Sequence, residues 1–385
     1  MIAPFLHRTP ASRLVFGPGA VGTLRAELAA LGVRRPLVLS GPRTAASPLH
    51  AAVRSALGDS GWVGHDRVPA HSSVATVQAL VDLARREGVD GFVAVGGGSA
   101  SDTAKAVSLL LAEGGWLEDH ATRFTPPDRL VMPELRQPKL ALVAVPGTAS
   151  AAEVTPGLGV RTDDGRKLLF TDLQLAARVI LIDPALNVAV PAALMLSTGM
   201  NGLAHCIEGL YSRVRSPAST ALALHGAAQF LRALPAVAAR PHDVDARGAL
   251  LVAAQLSGQV LLNARTCLHH AICHALGAST GIGHGDANAV LLPEAVAFNA
   301  PACAAELAAA ARACELPAAT PDALVERLRS LQHELGVPTR LRDLGVRHDQ
   351  LAAVAGQVMH ERGLYFNPRT VQGPDEIAAL LDRVW

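Results

Sequence analysis

Along the first 184 residues, short apolar runs alternate with amphipathic stretches. "RPLVLSG" (35–41), "GFVAVGGG" (91–98), "KLALVAVPG" (139–147) and "ARVILIDP" (177–184) are rich in Val, Leu and Ile and close on Gly or Pro. That is the pattern of parallel strands buried on both faces. Near the start, "SRLVFGPGAV" reads as a strand running into a turn. Between the first two runs, "SVATVQALVDLARREG" (73–88) sets Val74, Val77, Leu80, Val81 and Ala84 at helical spacing and stops at Gly88. Strand, helix, strand in this order predicts a doubly wound parallel sheet. After Pro184 the strand pattern is lost. "PAALMLSTGMNGLAHCIEGLYS", "STALALHGAAQFLRAL", "ARGALLVAAQLSGQVLLNA", "APACAAELAAAARACE" and "PDALVERLRSLQHELG" all carry helical spacing. The expected architecture is an α/β domain with a parallel sheet over 1–186 and an all-helical domain over 187–385, with ligands in the crevice between them.

Composition narrows the class. Half of the 385 residues are apolar, 17% are charged and the formal net charge is +1. A chain of this kind can bury a large core, and it has no polybasic block to suggest a nucleic-acid or membrane partner. Five cysteines without a C-x-x-C pair fit a reducing cytoplasm better than a disulfide framework. The N-terminal "MIAPFLHRTPASRLVFGPG" has no signal-peptide pattern, and no uninterrupted apolar stretch reaches the length of a membrane span.

The strongest local signal is "VAVGGGSASDTAKAV" (93–107). A buried strand ends in Gly96, Gly97, Gly98 and Ser99, and a helix starts at once with Asp102 and Lys105 in its first turns. Glycines let the backbone approach a pyrophosphate, and the free amides of a helix start supply donors and partial positive charge. The spacing is neither G-x-G-x-x-G nor a Walker loop, so an ordinary Rossmann domain or an NTPase is not implied. A second loop, "VPGTASAAE" (145–153), offers Thr148 and Ser150 to phosphate or ribose. Ser40 closes the first apolar run on the same side. No acidic residue follows that run and Arg43 is nearby, so NADPH is as acceptable as NADH.

Four histidines crowd into "HHAICHALGASTGIGHG": His269, His270, His274 and His284. Upstream, "GMNGLAHCIEGLYS" puts Asn201 one helical turn before His205, and His270 and His274 likewise share a helical face. A lone histidine on an apolar face is usually a satisfied core residue. This many together predict a pocket, whether for metal, substrate or both.

GGGSxxDTAK, TGMNxxxH, HHxxCHxLG, HGxxNAxLLP and the late "NPR" (367–369) follow one another across most of the chain. The set resembles the iron-dependent alcohol dehydrogenase family. The resemblance implies a nucleotide domain followed by a helical domain, a dinucleotide held by Gly96, Gly97, Gly98, Ser99 and Asp102, and a homodimer. It places the family's metal ligands, an Asp and three His, at Asn201, His205, His270 and His284, and a nicotinamide-side histidine at His274. The acidic ligand is therefore missing. One branch of the family, the maleylacetate reductases, is similar in carrying this replacement and in "YFNPR" (365–369). That similarity implies NADH- or NADPH-dependent reduction of the carbon–carbon double bond of an unsaturated keto dicarboxylate, without a required metal.

An amide at 201 removes a unit charge from any first shell of ligands, and amide oxygen binds transition metals weakly. Three neutral histidines could still hold Zn or Fe, so the metal-dependent alternative places it on His205, His270 and His284. Without metal, protonated imidazoles and arginine are expected to stabilise the developing oxyanion, with His270 or His274 giving the proton. His269, Tyr365 and Arg369 are candidates for the substrate carboxylates. The segment 146–153 lacks one Thr, the Gly and the Ser of the family's pattern, which favours a third alternative, a non-redox lyase, isomerase or cyclase on a dehydrogenase fold. The connection 112–139 is long enough to act as a lid or to reshape the pocket.

Overall fold

The computed structural model describes residues 4–59, 61–126, 129–163 and 165–385. Its strands are β1 (Arg13–Phe16), β2 (Pro36–Ser40), β3 (Val63–His65), β4 (Gly91–Gly96), β5 (Arg123–Thr125), β6 (Arg129–Val131), β7 (Ala141–Pro146), β8 (Gly157–Arg161), β9 (Lys167–Thr171) and β10 (Val179–Ile182). Six of them form one sheet in the order β1-β10-β7-β4-β2-β3, every pair parallel. The apolar runs read from the sequence are its inner strands. All five residues of β2 are buried, as are Gly91–Val95 of β4, because helices cover both faces. Helix Val74–Glu87 fits its sequence pattern: Ser73 caps it by accepting from the Thr76 amide, and Gly88 ends it at φ 64°.

Two antiparallel hairpins, β5–β6 and β8–β9, are additions that the apolar periodicity does not announce. The first lies in the 112–139 connection, in which Pro127 and Asp128 fall outside the described residues. It is exposed, tied to β9 through a Thr122–Leu169 bridge, and it does not line the catalytic cavity described below. Leu130 and Met132 of this connection line a basin beside that cavity.

Past β10 every described element is helical. Helix Ala192–Tyr211 is the hub, packed on helices Pro217–Ala239, Val244–Ala264 and His284–Asn299. Close approach requires glycine on its packed face: a Cβ at Gly202 would run into the Phe230 ring, and one at Gly209 into Val260. The helix Pro217–Ala239 is long and apolar enough to cross a membrane, but half of its most apolar window is buried against these neighbours. The remaining face of the hub helix, carrying Asn201, His205 and Glu208, is turned to helix Leu268–Thr280.

Candidate active site

The glycine loop lies where β4 meets helix Gly98–Glu113. Gly96 has φ +110°, and a Cβ there would stand 2.6 Å from the Thr44 hydroxyl, so only glycine fits. Gly97 is the N-cap and makes no side-chain cap, and the first turn holds no acidic residue. Its helix therefore begins with open amide donors and an unopposed partial positive charge, which fits a dinucleotide phosphate. The second loop is laid on the first. The Gly147 amide donates to Gly96 O at 2.8 Å, the Ala149 amide donates to the Thr198 hydroxyl, and Thr148 and Ser150 share a hydrogen bond. The altered 146–153 segment is thus held against the glycine loop. Lys105, fully buried, donates from Nζ to the carbonyls of Ala152 (2.5 Å), Thr155 (2.8 Å) and Gly157 (2.9 Å). Asp102 accepts from the Gly159 amide at 3.2 Å, which anchors β8 to the same helix. Ser40 is fully buried, and its hydroxyl has no partner among the described residues.

A cavity of about 300 Å³ runs from this loop to the histidines. Gly98, Asp102 and Ser150 line one end; Asn201, His205, His270, His274 and His284 line the other. Gly96, Gly97 and Ser99 of the loop do not line the cavity, nor do Thr148 and Ser40. His205 and His270 stack with ring centroids 4.8 Å apart, and His274 and His284 stack at 5.6 Å. His270 is held from both sides. Its Nδ1 is 2.5 Å from Glu208 Oε2, and its Nε2 is 3.0 Å from Asn201 Oδ1.

Burial and neighbouring imidazoles hold His205, His270 and His284 well below the ordinary histidine range; burial likewise lowers His274 and takes His269 down to about 4. Burial thus disfavours the charged form of each ring, which weighs against the expected imidazolium acids. Burial pushes Glu208 up to about 7. The consistent arrangement has Nε2 of His270 donating to Asn201 Oδ1 while one proton is held between Nδ1 and Glu208.

Three predicted substrate contacts lie elsewhere. His269 is fully buried behind the cavity, with Nε2 against Asn288 O and Nδ1 against His270. Tyr365 is 49% exposed and stacks edge-on to Phe366, outside the lining. Arg369 donates to Phe298 O and pairs with Glu376, a structural role near the C-terminus. The site contains groups that were not anticipated: Glu208, Lys167, Arg265, Arg362, and Glu361, which meets His274 Nδ1 at 3.4 Å. Glu208 had a signal, since it follows Asn201 by two helical turns on one face. The others did not.

The three histidines are not gathered as the family's metal ligands would be. Among the described residues the nitrogens of His205, His270 and His284 do not gather within 4.8 Å, and Asn201 takes the nitrogen of His270 that would face an ion. Glu208, His269 and His270 do gather within that distance. At 2.5 Å, however, the Glu208–His270 contact is a hydrogen bond, too close for an ion bound at about 2.1 Å to each atom.

Residues 11–184 match the iron-containing alcohol dehydrogenase family, and residues 195–385 match the C-terminal part of the Fe-containing alcohol dehydrogenase family. The chain belongs to this family and is an NAD(P)H-dependent oxidoreductase. Within the family it stands with the maleylacetate reductases. A maleylacetate reductase of Sphingobium indicum is 34% identical over 371 residues, 96% of this chain and 94% of that protein. The crystal structure of the maleylacetate reductase from Agrobacterium tumefaciens, 30% identical, covers 100% of this chain and 99% of its own with a TM-score of 0.84. A 1,3-propanediol oxidoreductase structure, 27% identical and covering 100% of each chain, reaches 0.92.

Proposed function

We propose that the chain reduces the carbon–carbon double bond of a maleylacetate-like unsaturated keto dicarboxylate with NADH or NADPH, and that it needs no metal. The observation that carries this reading is the single cavity joining the open helix start at Gly98 to the hydrogen-bonded Glu208–His270–Asn201 row. The nicotinamide, when bound, supplies the hydride. The chain's own part is to place the substrate carbonyl within reach of His270 Nε2–H. Charge arriving on that oxygen takes the Nε2 proton, and the proton held at Glu208 moves to Nδ1, leaving neutral His270 beside glutamate. His274, fixed by Glu361, closes the same wall.

The reading includes a cytoplasmic homodimer. Edge strand β1 supports it, since it pairs on one side only and exposes Leu14 and Phe16. The decisive experiment is to strip the protein with chelator and follow NAD(P)H oxidation by maleylacetate. Full activity at substoichiometric metal is expected. Activity that vanishes and returns with Zn²⁺ or Fe²⁺ would overturn the metal-free mechanism.

A further inference from the structure

Among the described residues, two guanidinium groups line the cavity without a hydrogen-bond or ion-pair partner. Arg265 caps the end of helix Val244–Ala264 and Arg362 precedes the short helix Gly363–Phe366. Both border the catalytic cavity, and both border a second basin of about 480 Å³ that opens beside it. Among the described residues neither side chain makes a hydrogen bond or an ion pair. Of the basin's other arginines, Arg213 donates to Pro368 O and Arg215 pairs with Glu306, while Arg8 has only backbone hydrogen bonds among the described residues. Glu361, the carboxylate beside Arg362 in sequence, is turned to His274.

Arg265 also sits in a backbone conformation that arginine does not choose. Its φ is +67° and its ψ is 179°, a region occupied almost only by glycine. Among the described residues just two other non-glycines have positive φ, Ala151 and Glu315. Strain of this kind persists where the surroundings hold a side chain in place, and here the side chain is an unpaired cation at a cavity wall.

Taking the reading above as its basis, we infer that Arg265 and Arg362 bind the substrate carboxylate remote from the reacting double bond, and so select a dianion over a monoanion. The placement fixes the direction. The histidines line only the inner cavity, whereas the two arginines stand where the cavity meets the outer basin. A six-carbon keto diacid with its double bond near His270 then points its far carboxylate outward at the guanidiniums. Planar guanidinium matches carboxylate geometry and stays charged here, although burial and the nearby Arg362 and Arg8 bring Arg265 to about 10.

Arg265→Gly removes the guanidinium and the strain together, so it separates a specificity role from a structural one. The variant should melt at the wild-type temperature or higher. Its kcat/KM for maleylacetate should fall about 10- to 100-fold, mainly through KM, as expected for losing one charged hydrogen bond. The monoacid 4-oxopent-2-enoate should lose far less, and Arg265→Lys and Arg362→Gln should fall between. A second arm needs no turnover: adipate should raise the melting temperature of the wild type more than hexanoate does, and Arg265→Gly should erase that difference. An unchanged diacid-to-monoacid ratio together with an unchanged adipate response would overturn the assignment. So would a loss shared equally by nucleotide affinity. Wild type that ignores maleylacetate refutes the reductase reading instead, and the adipate arm still decides the arginines.

Discussion

Asn201→Asp restores the charge that a metal site of this family would need, at a point 3.0 Å from His270 Nε2 and only 7% exposed. Once the proton shared with Glu208 is drawn onto His270, a carboxylate there attracts the resulting imidazolium by about 5–6 kcal/mol at an effective dielectric constant of 20. Removing that carboxylate from water costs several kcal/mol. The two terms nearly offset, so the metal-free variant should fold, with a melting temperature within several degrees of the wild type. The difference should appear on adding Zn²⁺ or Fe²⁺. An ion at a hundred times its Kd stabilises the folded state by about 2.7 kcal/mol, or roughly 3–6 °C in a chain this long. The assay is differential scanning calorimetry of chelator-stripped wild type and variant, with and without metal. The wild type should shift by less than about 1 °C. A variant that ignores both metal and chelator, or a wild type that shifts as far as the variant, would refute the view that one amide is what dismantled the site.

Three further outcomes follow from the same geometry. Glu208→Gln removes the group that holds the proton at His270 Nδ1; kcat should drop about 100-fold. Because the protonated acid is the working form, the wild-type rate should decline as pH rises through about 7, and stopped-flow pH profiles of the variant should lack that limb. Lys105→Met strips the carbonyls of Ala152, Thr155 and Gly157 of their shared donor. It should cost roughly 3 kcal/mol or more in urea unfolding; a loss below about 1 kcal/mol would mean that water replaces the ammonium. Buried His205, His269 and His270 take up protons less readily folded than unfolded. Stability should therefore fall as pH drops below about 6.5, by up to roughly 1.4 kcal/mol per imidazole per pH unit until the folded values are reached. Glu208, raised to about 7, gains a proton over the same window and offsets part of that loss.

The sheet was legible because its inner strands are buried on both faces and so leave unbroken apolar runs. The hairpins were not: β8 reads Gly157-Leu158-Gly159-Val160-Arg161, and β5 and β6 span three residues each, too little for periodicity to register. In the candidate site, side chains on helix faces could be read from spacing, which is how Asn201, His205, His270 and His274 were found. Arg265 and Arg362 lie at helix ends, where direction is set by the turn and by tertiary packing. His269 misled for the opposite reason. Adjacent residues on a helix point about 100° apart, so the neighbour of His270 was bound to face away from the cavity.

The replaced ligand is best understood with the charges at the two ends of the cavity. An aspartate at 201 would set an anion among rings whose charged form burial disfavours, a state that a dication settles better than a single proton. The amide removes that anion and accepts the Nε2–H of His270, so the row Glu208–His270–Asn201 stays neutral while it carries one transferable proton. Lys167 supplies one positive charge near the histidines, and two more lie at the outer wall, on Arg265 and Arg362, with no carboxylate among the described residues in an ion pair with either. A dianion entering such a cavity is pulled end-on toward the arginines and leaves its uncharged conjugated segment beside the proton donor.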